Sequence, residues 1–207
     1  MKQDVIKFVS ACDMCQRCKH ENVSYLGLLQ ALTIPDKAWF HLTMDFIEKL
    51  PMSQGMGTIL VVIDHFTKYA HFLALKHLFT ATQVAQLFLD NVYKLHGLPV
   101  SIVSDRDKIF TSKFWQELFR LMGVALHLSS SYHPQTDGKS ERRNQCLENF
   151  LRCMSSENPT HWYKWMPLAE KWYNTKSNTG LQTTPCEVLN GYKPSHIPLG
   201  HNQDKVR

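Results

Sequence analysis

The sequence predicts an α/β protein built on a mixed β-sheet flanked by helices, and a change of hydrophobic period carries that expectation. Between Trp39 and Leu75 three short strand-like runs follow one another closely and read as an antiparallel meander. From Thr82 onward a helix, a strand, a helix, a strand and a helix alternate, the pattern of a sheet covered by helices.

The first strand run is WFHLTMDFIEKL, opened by Trp39. Its period of two puts Phe40, Leu42, Met44 and Phe46 on one face and Asp45 on the other, beside Thr43. Thr58 to Asp64, TILVVID, is a near-continuous apolar run suited to a central strand covered on both sides. Tyr69 to Leu75 supplies the third strand. The helical period from Thr82 to His96 is carried by Val84, Ala85, Leu87, Phe88, Val92 and Leu95, and Gly97 and Pro99 stop it. Val100 to Val103 is a short buried strand ending at Ser104-Asp105-Arg106-Asp107. A helix over about Ser112 to Met122 presents Phe114, Trp115, Leu118, Phe119 and Met122, and Val124 to Leu128 is the fifth strand.

The next stretch, SSSYHPQTDGKSERRNQ, divides in two. Up to Gly138 it is turn chemistry, and from Lys139 it is helical, with Leu147, Phe150, Leu151 and Met154 on one buried face. Glu141 therefore opens a helix behind a polar loop. A later helix carries Trp162, Trp165, Leu168, Ala169, Trp172 and Tyr173, aromatics better suited to a core than to a ligand platform. A short helix around Pro185 to Leu189 precedes an extended end.

Composition narrows the class. The 207 residues are 43% hydrophobic and 11% aromatic, ordinary for a globular core. No apolar run is long enough to span a membrane, and the N-terminus lacks the features of a signal peptide. A net charge of +5 is compatible with a polyanionic partner. Six cysteines without a secretion signal point to reduced thiols or metal ligands. Cys12 and Cys15, spaced Cys-x-x-Cys behind a short amphipathic helix, form half of a tetrahedral zinc site. Cys18 and His20 follow, but four ligands in so tight a run would strain the loop.

Three acids share a structural logic. Asp45 lies in the first strand, Asp105 ends the first strand after a crossover, and Glu141 opens a helix. The first strand and the first strand after a crossover are commonly neighbours, and sites assemble at the C-terminal edge of parallel strands. Three carboxylates around one point need a cation, and Mg²⁺ or Mn²⁺ suits oxygen-only ligands. Asp64, Asp107 and Asp137 offer the same chemistry, so spacing alone does not select the three.

A resemblance does. Thirty-five residues separate Asp105 from Glu141, the spacing of the D,D-35-E signature of retroviral and retrotransposon integrases. The runs MDFIEKLP, ILVVIDHFTKYAHF, HGLPVSIVSDRDKIFTSKFW, SYHPQTDGKSERRNQCLE and WYNTKSNTGLQTTPCEVLNGYKP occur in the order of gypsy-type LTR retrotransposon integrases, covering about residues 37 to 195. The resemblance implies a ribonuclease H-like fold with a mixed five-stranded sheet. It implies Asp45, Asp105 and Glu141 as catalytic ligands of two divalent ions, Mg²⁺ or Mn²⁺, about 3.5–4 Å apart. The implied chemistry is 3′-end processing of the element's DNA and strand transfer into target DNA, without a covalent enzyme intermediate. Tyr132, His133, Pro134 and Gln135 would form a mobile loop, with Tyr132 and Gln135 at the DNA ends. Lys139, Arg142 and Lys68 would meet phosphate.

The same resemblance divides the chain into four parts. Residues 1–20 match the C-terminal half of a His-His-Cys-Cys zinc segment, 21–38 a linker, 39–195 the catalytic core and 196–207 an extended tail. The histidine pair expected before Cys12 is missing, which puts Zn²⁺ binding in doubt and makes the chain read as a fragment lacking also a C-terminal DNA- or chromatin-binding domain. Arg143, where the family has an aliphatic residue, falls on the apolar stripe four residues before Leu147, and Cys186 replaces an aromatic. Expected partners are element-end and target DNA and further copies of the chain, with no membrane, in the nucleus or a cytoplasmic retrotransposon particle. The competing readings are a decayed or domesticated integrase that binds DNA or protein without catalysis, and a ribonuclease H or resolvase. The latter would not carry the YHPQTDG run.

Overall fold

The computed structural model describes residues 2–18, 36–105, 107–128 and 134–194, with the backbone alone at Met14, Cys18, Leu121 and 134–143. Helix α1 (Lys2–Ala11) and the short α2 (Asp13–Cys18) come first. The sheet follows as β1 (His41–Ile47), β2 (Met56–Asp64) and β3 (Ala70–Lys76), then β4 (Ser101–Ser104) and β5 (Ala125–Leu128). Its order is β3-β2-β1-β4-β5, antiparallel from β3 to β1 and parallel from β1 to β5. The expected mixed five-stranded sheet flanked by helices is therefore present.

Alternation along the strands builds two cores. Leu42 and Met44 of β1 and Leu60 and Val62 of β2 face helices α3 (Ala81–Phe88) and α5 (Lys113–Leu121), packing with Val84, Phe88, Trp115 and Phe119. Ile47, Ile59, Val61 and Ile63 face the opposite way, against Leu147 and Leu151 of α6 (Pro134–Ser155) and Met166 and Ala169 of α7 (Met166–Thr175). Asp45 shares this second face by the period of two. Helix α8 (Pro185–Asn190) is capped by Thr184 and ends at Gly191 in the left-handed region, φ +76°. No helix of the described residues is long and apolar enough to cross a membrane.

Several expectations shift, each for a physical reason. Trp39 does not open β1: its φ is +63°, outside strand geometry, and the strand starts two residues later at His41. The helix after β3 starts one residue early, at Ala81, capped by Thr80 and Gln83, each accepting a hydrogen bond from the other's backbone N–H. It then passes through a π-helical turn, Leu89–Tyr93, before finishing as α4 (Lys94–His96). There the Lys94 N–H reaches back five residues to the Leu89 carbonyl, absorbing one extra residue. The inward face consequently falls on His96, and Leu95, expected in the core, is 63% exposed.

Phe114 is exposed, because Trp115, Leu118, Phe119 and Met122 already make a complete i, i+3, i+4, i+7 stripe. The aromatic helix is split into a 3₁₀ segment, Pro159–Trp165, and α7. The change from three residues per turn to 3.6 resets the phase, so Trp162 is buried while Leu168 faces out. Helix α6 begins at Pro134, not Lys139. Proline suits a first helical position because its missing N–H would have had no intrahelical acceptor. The turn reading of Pro134 to Gly138 is thereby replaced by helix, with Gly138 inside it.

Strand β3 is an outer strand whose open edge is covered by α7 side chains. Asn174 accepts from the Ala70 N–H and donates to the Ala70 carbonyl, both at 2.8 Å, and Glu170 accepts from the Phe72 N–H at 2.9 Å. Two side chains on one helix thus stand in for a sixth strand and blunt the edge. Asn174→Ala leaves both Ala70 groups buried and unsatisfied. We expect a loss of about 2–3 kcal/mol in urea unfolding; a loss below about 0.5 kcal/mol would contradict the edge-covering role.

Candidate active site

The parallel pairing of β1 and β4 runs His41 opposite Ser101, Leu42 opposite Ile102, Thr43 opposite Val103 and Met44 opposite Ser104. Continued by one residue, this register sets Asp45 beside Asp105. Asp45 is half-buried, and Asp105 is exposed where the chain leaves the sheet. The Asp45 Oδ1 accepts from the Phe46 N–H at 2.9 Å, and the Asp105 Oδ1 accepts from the Asp107 N–H at 3.1 Å. These bonds hold the carboxylates close to their own backbones.

Helix α6 meets the pair through a residue that the sequence reading missed. Asn144 Nδ2 donates to Asp45 Oδ2 at 2.7 Å. Glu141 lies three residues earlier in α6, and residues three apart share one side of a helix. The helix side that carries Glu141 is therefore the side turned to Asp45. The Glu141 side chain itself lies outside the described atoms. Its asparagine neighbour carried no catalytic signature, since an amide at i+3 of a helix is ordinary on any polar face.

The remaining acids separate by what they bind. Asp64 is fully buried and accepts from the Trp39, Phe66 and Thr67 N–H groups and from the Thr67 hydroxyl, at 2.6–3.3 Å. Its charge is consumed by the β2–β3 turn and the entry to β1, a structural role. Asp107 shapes the loop after β4, accepting from the Ile109 N–H at 2.7 Å. Asp137 falls in α6, with its side chain outside the described atoms.

The expected DNA contacts are distributed unevenly. Tyr132 and His133 lie outside the described residues, while Pro134 and Gln135 belong to α6, so they are not loop positions. Lys139, Arg142 and Arg143 are likewise in α6, with side chains outside the description. Lys68 sits in the β2–β3 turn, at the sheet end opposite Asp105, and donates to the His65 carbonyl. A cleft of about 550 Å³ opens instead at the Asp105 end, and Lys49, His77, Asp107 and Lys108 are among its lining residues. Cys12 follows α1 and Cys15 lies in α2, neither in a disulfide. Among the described side chains, no three of His, Cys, Asp or Glu gather to hold a metal ion.

Comparison with known proteins follows the same lines. The integrase core domain family matches residues 35–134. The Tf2-3 and Tf2-4 transposon polyproteins of Schizosaccharomyces pombe are each 35% identical over 199 residues, 96% of this chain. The chain spans 15% of the length of these curated relatives. Among solved structures, the simian T-cell lymphotropic virus intasome in complex with PP2A regulatory subunit B56 gamma superposes with a TM-score of 0.65 at 17% identity, covering 100% of this chain and 73% of that one. The HTLV-2 integrase catalytic core domain in complex with magnesium superposes with a TM-score of 0.59 at 18% identity, covering 75% of this chain and 97% of that one. These superpositions establish the ribonuclease H-like fold.

The Asn144–Asp45 bond is testable as a coupling. A double-mutant cycle of Asn144→Ala with Asp45→Asn should return about 1.5 kcal/mol of interaction in chemical denaturation. Coupling below about 0.3 kcal/mol would mean that α6 is not fastened there.

Proposed function

The chain carries an integrase core domain of the retroviral and retrotransposon integrase family, and from that membership we propose that it processes and joins DNA ends. The single observation that supports this reading is the β1–β4 register, which, continued by one residue, puts positions 45 and 105 next to each other on adjacent parallel strands. Asn144 adds the side of α6 that bears Glu141. We infer that Asp45, Asp105 and Glu141 are the catalytic acids, and that the copy is of the gypsy type, as its five ordered motifs suggest.

The donor set fits a hard divalent cation. It is all oxygen, Asp105 is open to solvent, and adjacent carboxylates require a compensating charge. Asp45, Asp105 and Glu141 would hold Mg²⁺ or Mn²⁺, in keeping with the magnesium in the HTLV-2 core. Bound there, such ions supply Lewis acidity and neutralise charge at phosphorus during in-line displacement. The protein's own part is positioning. The Asn144 amide orients the Asp45 carboxylate, and the paired strands keep the two aspartates from separating.

The substrates in this reading are element-end DNA and target DNA, with water attacking in end processing and a 3′-hydroxyl in strand transfer. Gln135, Lys139 and Arg142 at the start of α6, with Tyr132 just before it, are proposed to contact the DNA ends. Lys49 and Lys108, on the cleft beside Asp107, add cationic groups toward the phosphate backbone. The net charge of +5 favours such a partner. Joining two ends calls for several copies, so a homo-oligomer is proposed, acting in the nucleus or a cytoplasmic particle.

Purified chain incubated with labelled long-terminal-repeat end DNA and Mn²⁺ should nick and join it. Asp45→Asn, Asp105→Asn and Glu141→Gln should each fall to background, and Asn144→Ala should lose roughly 10–100-fold. Joining that survives Glu141→Gln would overturn the assigned acids. Metal-independent DNA binding with no nicking by the wild-type chain would favour the non-catalytic reading.

A further inference from the structure

At the sheet end opposite Asp105, five elements meet in one cluster. Trp39 leads into β1, Asp64 ends β2, His71 lies near the start of β3, His96 ends α4, and Glu170 belongs to α7. The Trp39 ring stacks on His96 with centroids 3.6 Å apart and planes 4° apart. His71 Nε2 and His96 Nε2 are 2.9 Å apart, and His71 Nδ1 is 3.1 Å from Glu170 Oε1. The two imidazole centroids are 5.2 Å apart, so the nitrogens point at each other nearly along a line. That is the geometry of an N–H···N hydrogen bond, not of two lone pairs converging on a metal.

The cluster bears on the distant acids through the chain. From His96 only Gly97 to Val100 intervene before β4, and Gly97, with φ +81°, makes the sharp exit that glycine tolerates. The Val100 and Ser101 N–H groups both donate to the Phe40 carbonyl, next to Trp39, at 2.7 and 3.1 Å. Sliding β4 against β1 would therefore pull His96 from Trp39 and His71. The π-helical turn is what rotates His96 inward to this place.

Proton counting limits the bond. His71 Nδ1–H donates to Glu170, leaving its Nε2 to accept from His96 when both rings are neutral. One added proton on His71 reverses the direction of that bond and keeps it. A second proton sets two N–H groups against each other and breaks it. We propose that His71 and His96 are a positioning pair, an acid-opened clamp that keeps the β1–β4 register and so holds Asp105 beside Asp45. The role presupposes the catalytic reading of those two acids.

The charges around the pair agree with a bond that resists the second proton. Burial, then the neighbouring His71, lower the His96 pKa to about 4, with Asp64 opposing. Glu170 from α7 faces His71, and Tyr69 stands edge-on to it at 5.5 Å. Asp90, Lys94 and Lys171 line the cleft of about 800 Å³ that reaches His71 and Glu170. Because His96 binds its proton more weakly folded than unfolded, the unfolded chain takes up more protons between pH 6.5 and about 4. Stability is complete above that window and falls as the pH drops through it.

The test compares the full chain with His96→Phe, which keeps a ring against Trp39 but can neither donate nor titrate. The wild-type urea midpoint should fall between pH 6.5 and 4, whereas the backbone amide signals of Asp45 and Asp105 in the folded chain should move only as the pH nears about 4, where folded His96 takes its proton. In His96→Phe both responses should be flattened, and the acid limb of DNA joining should broaden. Should the variant not fold, imidazole nitrogen resonances of the wild type decide: a hydrogen-bonded Nε2 pair with His96 neutral down to about pH 4 supports the clamp. Identical pH slopes in the two proteins, or His96 protonating near its ordinary value, would overturn it. The stability and resonance measurements need no DNA, so their failure refutes the clamp alone. Absent joining at neutral pH, with the clamp intact, refutes the catalytic reading instead.

Discussion

The parallel ladder between β1 and β4 is the constraint on which the rest depends. Both strands are short, and β4 contributes only Ser101 to Ser104. Side chains in a strand alternate between faces, so a slip of one residue would send Asp45 into the core packed by Phe88 and Trp115. Burying an ionised carboxylate there costs far more than the ladder's hydrogen bonds supply. The apolar alternation of Leu42, Met44 and Ile102 therefore protects the register, and through it the pairing of the two acids.

Around this ladder, polar side chains fasten elements that burial alone would leave free to slide. Asn174 and Glu170 tie α7 to the β3 edge, Asp64 ties the β2–β3 turn to Trp39, and Asn144 ties α6 to Asp45. The hydrophobic driving force has no direction of its own, whereas a hydrogen bond fixes both a distance and an angle. The division of labour is clear: the two apolar cores hold the layers together, and a few amides and carboxylates set where the layers stop. A metal-binding site needs the second kind of control.

Much of this was legible in the residues. Apolar runs located four of the strands to within two residues, the first run overshot the end of β1 by three, and the neighbour rule for a first strand and a crossover strand brought Asp45 toward Asp105. What stayed hidden depended on hydrogen-bond register rather than on residue type. Nothing in LDNVY announces a π turn, so Leu95 looked like core and His96 like a helix end. The 3₁₀ run from Pro159 hid in the same way, since its aromatics fit an α-helical stripe equally well. Pro134 read as a loop breaker because a proline in mid-sequence carries no mark of being the first residue of a helix. Asn144 escaped notice because its function lies wholly in a partner 99 residues away.

The central claim is that Asp45 and Asp105, with Glu141 on α6, form one cation site at the ends of β1 and β4. Crystals of the chain grown with Mn²⁺ and measured for anomalous scattering address it directly. The account predicts a manganese peak bound by the carboxylates of Asp45 and Asp105, with the Asn144 amide still on Asp45. Manganese at Asp64 or Asp107, or no peak between β1 and β4 at saturating Mn²⁺, would contradict it.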